Sequence, residues 1–286
     1  MKRIAAMTLV ALLLTVGAWW LHAQTLTGDE ILDRASNAGS ITALGSRISL
    51  MDFSITDSTD FTITRKFATF SKREEGEDNR LLIFFLEPEL ERGTIFLSVD
   101  PEDSDEQARL WLFLSALGQA KEIVSAEERN SGFAGSNLTN DQIGTGLDFS
   151  EDYTGELVGE ERVSVTWQGT VQDRRAFKLN LTQRPDANVD FPSGVAWIDV
   201  ETFAVLKAEL NNADGVLNQI TIVDDFVLFE GDVEPNLILI NDVLSGGQTE
   251  IFITERRQVD ELPDEIFIVD NLAEFDPADF GIEVEQ

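Results

Sequence analysis

The 286-residue chain contains no cysteine and a single histidine, His22. Without cysteine there is no disulfide, no thiolate metal site and no lipid attachment through a signal-peptide cysteine. Because His22 falls near the N-terminus, a chain trimmed after Ala23 holds neither imidazole nor thiol. Ser-His and Cys-His nucleophilic sites are then excluded, as are zinc sites built on either ligand. Positive charge is scarce as well: 21 Lys and Arg, only six of them Lys, stand against 53 Asp and Glu, for a formal charge of −32. Long-range electrostatics therefore disfavour nucleic acid and anionic membrane surfaces, and no nucleic-acid partner is expected. Beyond the N-terminus no apolar run reaches the length of a membrane span. Nor does any Pro-, Gly- or Ser-rich linker divide the chain, so residues 24–286 are expected to form one domain.

What is present begins with "MKRIAAMTLVALLLTVGAWWLHAQ". Its basic start, apolar middle and small residues near Ala23 form the pattern of a signal peptide over 1–23, cleaved before Gln24. The alternative is an uncleaved anchor, since about 18 apolar residues can span a bilayer. Cleavage implies a periplasmic or extracellular protein and shifts the charge from −32 to −34, because the leader carries Lys2 and Arg3 but no acid. Both adaptation to salt and a basic docking partner are compatible with that acidity.

After the leader, "TLTGDEILDRASNAGSITALGS" reads as a helix, with Thr27 and Glu30 forming a capping box and Ile31, Ala35 and Ala38 at helical spacing. From Arg47 onward short runs rich in branched and aromatic residues predict strands: "RISLMDFSI", "FTITRKFATF", "RLLIFFL", "TIFLSV" and "RLWLFLSAL" in the first half. "VSVTW", "AFKLNLT", "VAWIDV", "FAVLKAEL", "VLNQITIV", "LILINDV" and "EIFITER" continue the series. Turns such as "NADG" at 212–215 and "SGGQ" at 245–248 connect neighbours as hairpins. The expected class is mainly β with a few helices, an antiparallel sheet strongly curved or partly closed.

Most later strands alternate apolar and polar residues, as a sheet with one wet face should. "LLIFFL" at 81–86 does not: Leu81, Ile83 and Phe85 point one way and Leu82, Phe84 and Leu86 the other, and neither set suits water. A covering layer is required. The segment "SAEERNSGFAGSNLTNDQIGTGLDFSEDY" is the expected source, an irregular loop with a helical turn at a second capping box, Thr139 and Gln142, and with Phe133 and Leu138 pinning it to the core.

"TGDEILDRASN", "FLEPELERGTIFLSVDP", "LWLFLSALGQAKEI", "GFAGSNLTNDQI", "VAWIDVETFAVLKAEL" with "DGVLNQI", and "LPDEIFIVDNL" together resemble the outer-membrane lipoprotein-sorting proteins, the LolA-like family, over residues 27–272. The resemblance implies an incomplete antiparallel β-barrel, or half-barrel, with helices covering its concave face, as in LolA and LolB. It also implies a non-catalytic periplasmic carrier that holds acyl chains of lipoproteins or lipids in an apolar cavity. Inner-membrane donor and outer-membrane acceptor proteins would be its partners, and the carrier would act as a monomer without cofactor or metal. The other reading is a non-catalytic envelope module on the same scaffold, its cavity filled by its own side chains.

Each buried CH₂ contributes about 0.8 kcal/mol, so shielding an acyl chain needs no catalytic group. Candidate lining residues are Leu82, Phe84, Leu86, Ile95, Leu97, Trp111, Phe113, Trp167 and Trp197, with Phe133 and Leu138 as lid or gate. The acidic run 100–106 lacks the glycine and terminal glutamate spacing of a calcium loop and reads as a solvated hairpin tip.

Overall fold

One α-helix, α1 (Gly28–Ser36), precedes thirteen strands: β1 (Gly45–Thr56), β2 (Thr62–Arg73), β3 (Asn79–Glu87), β4 (Ile95–Asp100), β5 (Arg109–Leu114), β6 (Gln119–Ile123), β7 (Tyr153–Trp167), β8 (Thr170–Gln183), β9 (Ser193–Asp199), β10 (Val205–Asn211), β11 (Leu217–Phe229), β12 (Asp232–Asp242) and β13 (Gln248–Val259). The computed structural model describes residues 26–36, 38, 44–102, 106–146, 149–185, 187 and 189–284. The leader, His22, the predicted cleavage point and the centre of the acidic run 100–106 lie outside them.

All thirteen strands share one sheet, in the order β10-β9-β8-β7-β11-β12-β13-β1-β2-β3-β4-β5-β6. Every extended pairing is antiparallel, and the sheet is strongly curved without closing into a regular barrel. At one end it curls on itself: β10 pairs with β11, and a single parallel bridge, Phe226 to Trp167, joins β11 to β7. The NADG turn behaves as the Asp-Gly pattern requires, with Gly215 at φ 74° and Asn212 N–H bonded to Val216 O at 2.9 Å. Helix α1 starts at its capping box: Glu30 N–H donates to Thr27 Oγ1 at 3.2 Å and Thr27 N–H to Glu30 Oε2 at 2.7 Å. Its described helical residues run from Gly28 to Ser36, and Ala38, which the spacing places on the same helix, lies in a bend. A close glycine contact seats it on β7, where a Cβ on Gly28 would lie 2.0 Å from Gly155 O.

Register carries one inner face across the sheet. Phe53 is opposite Ile251, Met51 opposite Phe67, Phe67 opposite Phe85, and Ile83 opposite Phe96. The same face runs through Ile238 and Val223 to Ala208 and Ala196. Helix α1 covers one part of it, burying Ile31, Leu32 and Ala35 against Leu179, Leu181, Ala196 and Ile198. The segment between β6 and β7 covers the rest.

The outer face of β1–β5 is apolar too, and a different element covers it. Ile48, Phe70, Leu82, Phe84, Ile95, Leu97, Trp111 and Phe113 pack under residues 262–284, a chain of three short 3₁₀ turns (Asp264–Phe267, Val269–Glu274, Pro277–Phe280) that buries Leu262, Phe267 and Leu272. Phe275 and Phe280 stand edge-on to Phe70 at 5.1 and 5.2 Å. Lys72, itself buried, donates to Asp264 Oδ1 at 2.8 Å, and Arg80 reaches the same oxygen at 2.7 Å. The hydrogen bond from Lys72 holds the Asp264 carboxyl below the usual range against the opposing effect of desolvation. The two faces of "LLIFFL" thus meet two covers: Leu81, Ile83 and Phe85 face the inner segment, Leu82 and Phe84 the C-terminal tail.

The β9–β10 turn is tied by Asp199, which is fully buried. Its carboxylate accepts from Arg174 Nε at 2.8 Å and Nη2 at 3.0 Å, and from the N–H groups of Glu201 and Thr202 at 3.0 and 2.9 Å. Burial pushes this carboxyl upward, but Arg174 and the two backbone donors overcome it and hold the group below its ordinary range. A depressed folded-state pKa stabilises the fold fully above the unfolded value of about 3.9 and loses that contribution as pH falls through the folded value. Asp199→Asn should therefore cost about 2 kcal/mol at neutral pH, by urea unfolding, with the gap from the unaltered chain closing in acid; a gap that persists below about pH 2 would mean that geometry, not charge, is responsible. A chain ending at Glu261 should bind a hydrophobic dye and aggregate, because the outer face of β1–β5 loses its cover. If it remains monomeric and dark to the dye, the tail is dispensable.

Candidate functional site

The segment 126–152 is more helical than its composition suggests: α2 (Ala126–Arg129), a 3₁₀ turn at Phe133–Gly135, α3 (Asn140–Gly144) and α4 (Phe149–Asp152). The Thr139–Gln142 capping box opens α3 as the sequence predicts. Phe133 is the centre of its packing. Its ring lies 5.3 Å from Phe96, 5.6 Å from Phe67, 5.8 Å from Phe85 and 6.1 Å from Phe53, so one loop side chain is ringed by four phenylalanines of four strands. Leu138 is buried beside it.

Polar contacts hold the segment at both ends. Arg129 donates to Ala108 O at 2.8 Å and pairs with Asp141. Ser98 Oγ donates to Gly144 O at 2.9 Å, a close approach in which a Cβ would lie 2.5 Å from Leu110 Cδ2 and force that side chain to shift. On the other side Asn137 N–H donates to Thr249 Oγ1 at 2.9 Å, and Gln219 Nε2 donates to Asn137 O at 3.1 Å.

Between α1, this segment and strands β10–β12 the inner face leaves a hollow of about 720 Å³, counted with its open mouth. Its wall includes Ala35, Leu138, Phe149, Leu210, Val223, Phe226 and Ile238, with Gln142, Gln219 and Thr221 among its polar members and no charged side chain among the described residues. Gln142, Phe149 and Leu210 also border a second recess of about 540 Å³, flanked by Tyr153, Val189 and Phe191 and rimmed by Asp141, Asp152 and Asp190. Burial, with Asp152 and Asp190 nearby, pushes the Tyr153 phenol upward, and its hydroxyl donates to Phe191 O at 2.8 Å. An apolar interior with few polar groups is the make-up of a small-molecule site. It suits hydrocarbon, not acid–base chemistry.

The candidates from sequence divide between two places. Leu82, Phe84, Ile95, Leu97, Trp111 and Phe113 lie on the outer face beneath the tail, and Leu86 packs against the same group. Trp197 is buried in the same cluster as Trp167 and Phe133 but is not part of the wall of the hollow; Lys178 and Lys207 lie over its ring and its Nε1 donates to Glu161 at 2.9 Å. Trp167 touches the hollow through Phe226, 5.1 Å away. Leu138 lines the hollow directly, and Phe133 packs behind it. Sequence reasoning passed over Gln219, Thr221, Val223, Phe226 and Ile238. In "VLNQITIV" the more apolar set is Ile220 and Ile222, so the binary pattern favours the face that the sheet turns outward.

A family model described as "Uncharacterized protein" matches residues 77–274. No curated protein matches the sequence. Among solved structures, the chain is similar to a DUF1329 family protein from Desulfovibrio piger, with TM-score 0.73 and 22% identity over 87% of this chain and 100% of that one. A putative outer membrane lipoprotein-sorting protein domain from Vibrio parahaemolyticus has TM-score 0.70 and 21% identity, covering 86% and 98%. A LolA superfamily protein from Nitrosomonas europaea has TM-score 0.63 and 22% identity, covering 85% and 98%. The fold is LolA-like.

Phe133→Ala should lower stability by about 3–5 kcal/mol, because four surrounding rings lose their common partner, and should raise the affinity of the hollow for an apolar fluorescent probe. Chemical unfolding and probe titration measure the two; unchanged probe binding in a folded variant would detach Phe133 from the site.

Proposed function

Because the chain belongs to the family whose model spans residues 77–274 and has a LolA-like fold, we propose that it is a carrier of acyl chains. It would hold the hydrocarbon of lipoproteins or lipids in the inner hollow and move it through the periplasm toward the outer membrane, passing between a donor and an acceptor protein. The observation that carries this reading is the uncharged hollow under the 126–152 segment. Each methylene of a guest chain shielded there would gain about 0.8 kcal/mol before the cost of ordering the chain. Segment 126–152 serves as the lid in this reading: Phe133 and Leu138 hold it down, and a guest that replaces their contacts lifts it. The function needs no catalytic group, in line with a sequence whose only histidine is His22 and which has no cysteine.

One observation favours the second reading, an envelope module with a self-filled cavity. Phe133 occupies the centre of the inner face, where a guest chain would otherwise lie. Native mass spectrometry of gently purified protein separates the two: bound acyl species, displaced by an apolar fluorescent probe, are expected for the carrier. Protein free of lipid and unable to take up the probe would leave the structural module.

A further inference from the structure

One residue lining the hollow, Gln219, has a side-chain oxygen whose hydrogen bonding the protein leaves incomplete. Gln219 on β11 is 3% exposed. Its Nε2 donates to Asn137 O, while its Oε1 is closed off from water and accepts from no donor among the described residues. Turning the amide over does not help, because Asn137 O only accepts and two oxygens would then face each other. Asn137 is itself fixed, its side-chain oxygen accepting from Thr249 Oγ1 at 2.9 Å. Two other polar atoms of lining residues have partners: Gln142 Oε1 accepts from Thr139 N–H at 3.0 Å, and Ser36 Oγ donates to Asp33 O at 2.8 Å. Buried acceptors are nearly always paired in folded proteins. A lone one in a cavity wall marks where a ligand's donor belongs.

The charges nearby narrow the class of ligand. Among the described residues no Lys or Arg lines the hollow, and the adjoining recess is rimmed by three aspartates. An ionised carboxylate or phosphate would find no cationic side chain among the described residues lining the hollow, whereas an uncharged N–H or O–H meets an acceptor. Deepening the carrier reading, on which this rests, we propose that Gln219 Oε1 receives a hydrogen bond from a neutral donor set beside the hydrocarbon chain of the ligand, as in an acyl amide or a monoacylglycerol. The hollow then selects uncharged, donor-bearing amphiphiles over fatty-acid anions and over esters that lack a donor. Asn137 and the ligand share one glutamine, so the group that latches the lid also reads the guest.

The test is displacement of an apolar naphthalene fluorophore from the full chain by ligands of equal chain length: a fatty amide, a monoacylglycerol, a fatty-acid methyl ester and, in mildly alkaline buffer, the fatty-acid anion. The amide and the monoacylglycerol should bind about tenfold tighter than the ester and the anion. In Gln219→Leu the ratio of amide to ester should fall to about one, whatever the loss of the Asn137 contact does to both affinities together. Equal binding of amide and ester by the unaltered chain, or an unchanged ratio in the variant, overturns the proposal while leaving the carrier reading intact. Failure of the fluorophore and every ligand to bind defeats both. The ligand series on the unaltered chain decides the matter even where the variant does not fold.

Discussion

The structure depends on a sheet whose middle strands are apolar on both faces. Strands β1–β5 cannot leave either side to water, since leaving a large side chain exposed forfeits roughly 1.5–3 kcal/mol. Two covers are therefore obligatory, and they come from different parts of the chain. The inner cover, 126–152, is inserted between strands that lie far apart in the sheet; the outer cover, 262–284, is the stretch of chain after the last strand. Curvature makes the inner side scarce in space, so its cover is held by one deeply inserted ring, Phe133, and by a few hydrogen bonds. The outer side is broad, and its cover is a long strap of 3₁₀ turns anchored by Phe275, Phe280 and the Lys72–Asp264 pair.

In the carrier reading proposed above that asymmetry matters, because the inner segment, held by Phe133, Leu138 and Ile143 and by hydrogen bonds through Ser98, Arg129 and Asn137, is the cover that borders the hollow. The hollow next to it is bounded by β10–β12, the part of the sheet that curls back toward β7. Asp199 stabilises the β9–β10 turn whose Ala204 and Val205 line that hollow, so a buried ion pair at the rim sets the shape of an uncharged interior.

Twelve strands were legible in the sequence because branched and aromatic residues cluster at strand length between turn residues. β6 was not: "QAKEI" is an edge strand with four exposed residues, paired through β5 and carrying little apolar pattern of its own. The first half of β7 was missed for a similar reason, since its glycines and glutamates are strand only by virtue of pairing with β8. Both capping boxes were readable, being local hydrogen-bond patterns within about four residues. Phe133 stood out as a lone aromatic in a Gly- and Ser-rich loop, but nothing local announced the four rings around it.

By itself the sequence determined a cysteine-free and histidine-poor composition, an antiparallel β architecture and the need for covers over "LLIFFL", because composition, periodicity and turn residues act over a few neighbours. Only the tertiary structure decided which cover meets which face, and so assigned Leu82, Phe84 and Trp111 to the strap and Gln219, Val223 and Phe226 to the hollow. The reason is physical: alternation tells two faces of a strand apart, but the bend of the whole sheet, set by contacts among residues distant in the chain, determines which of them is inside.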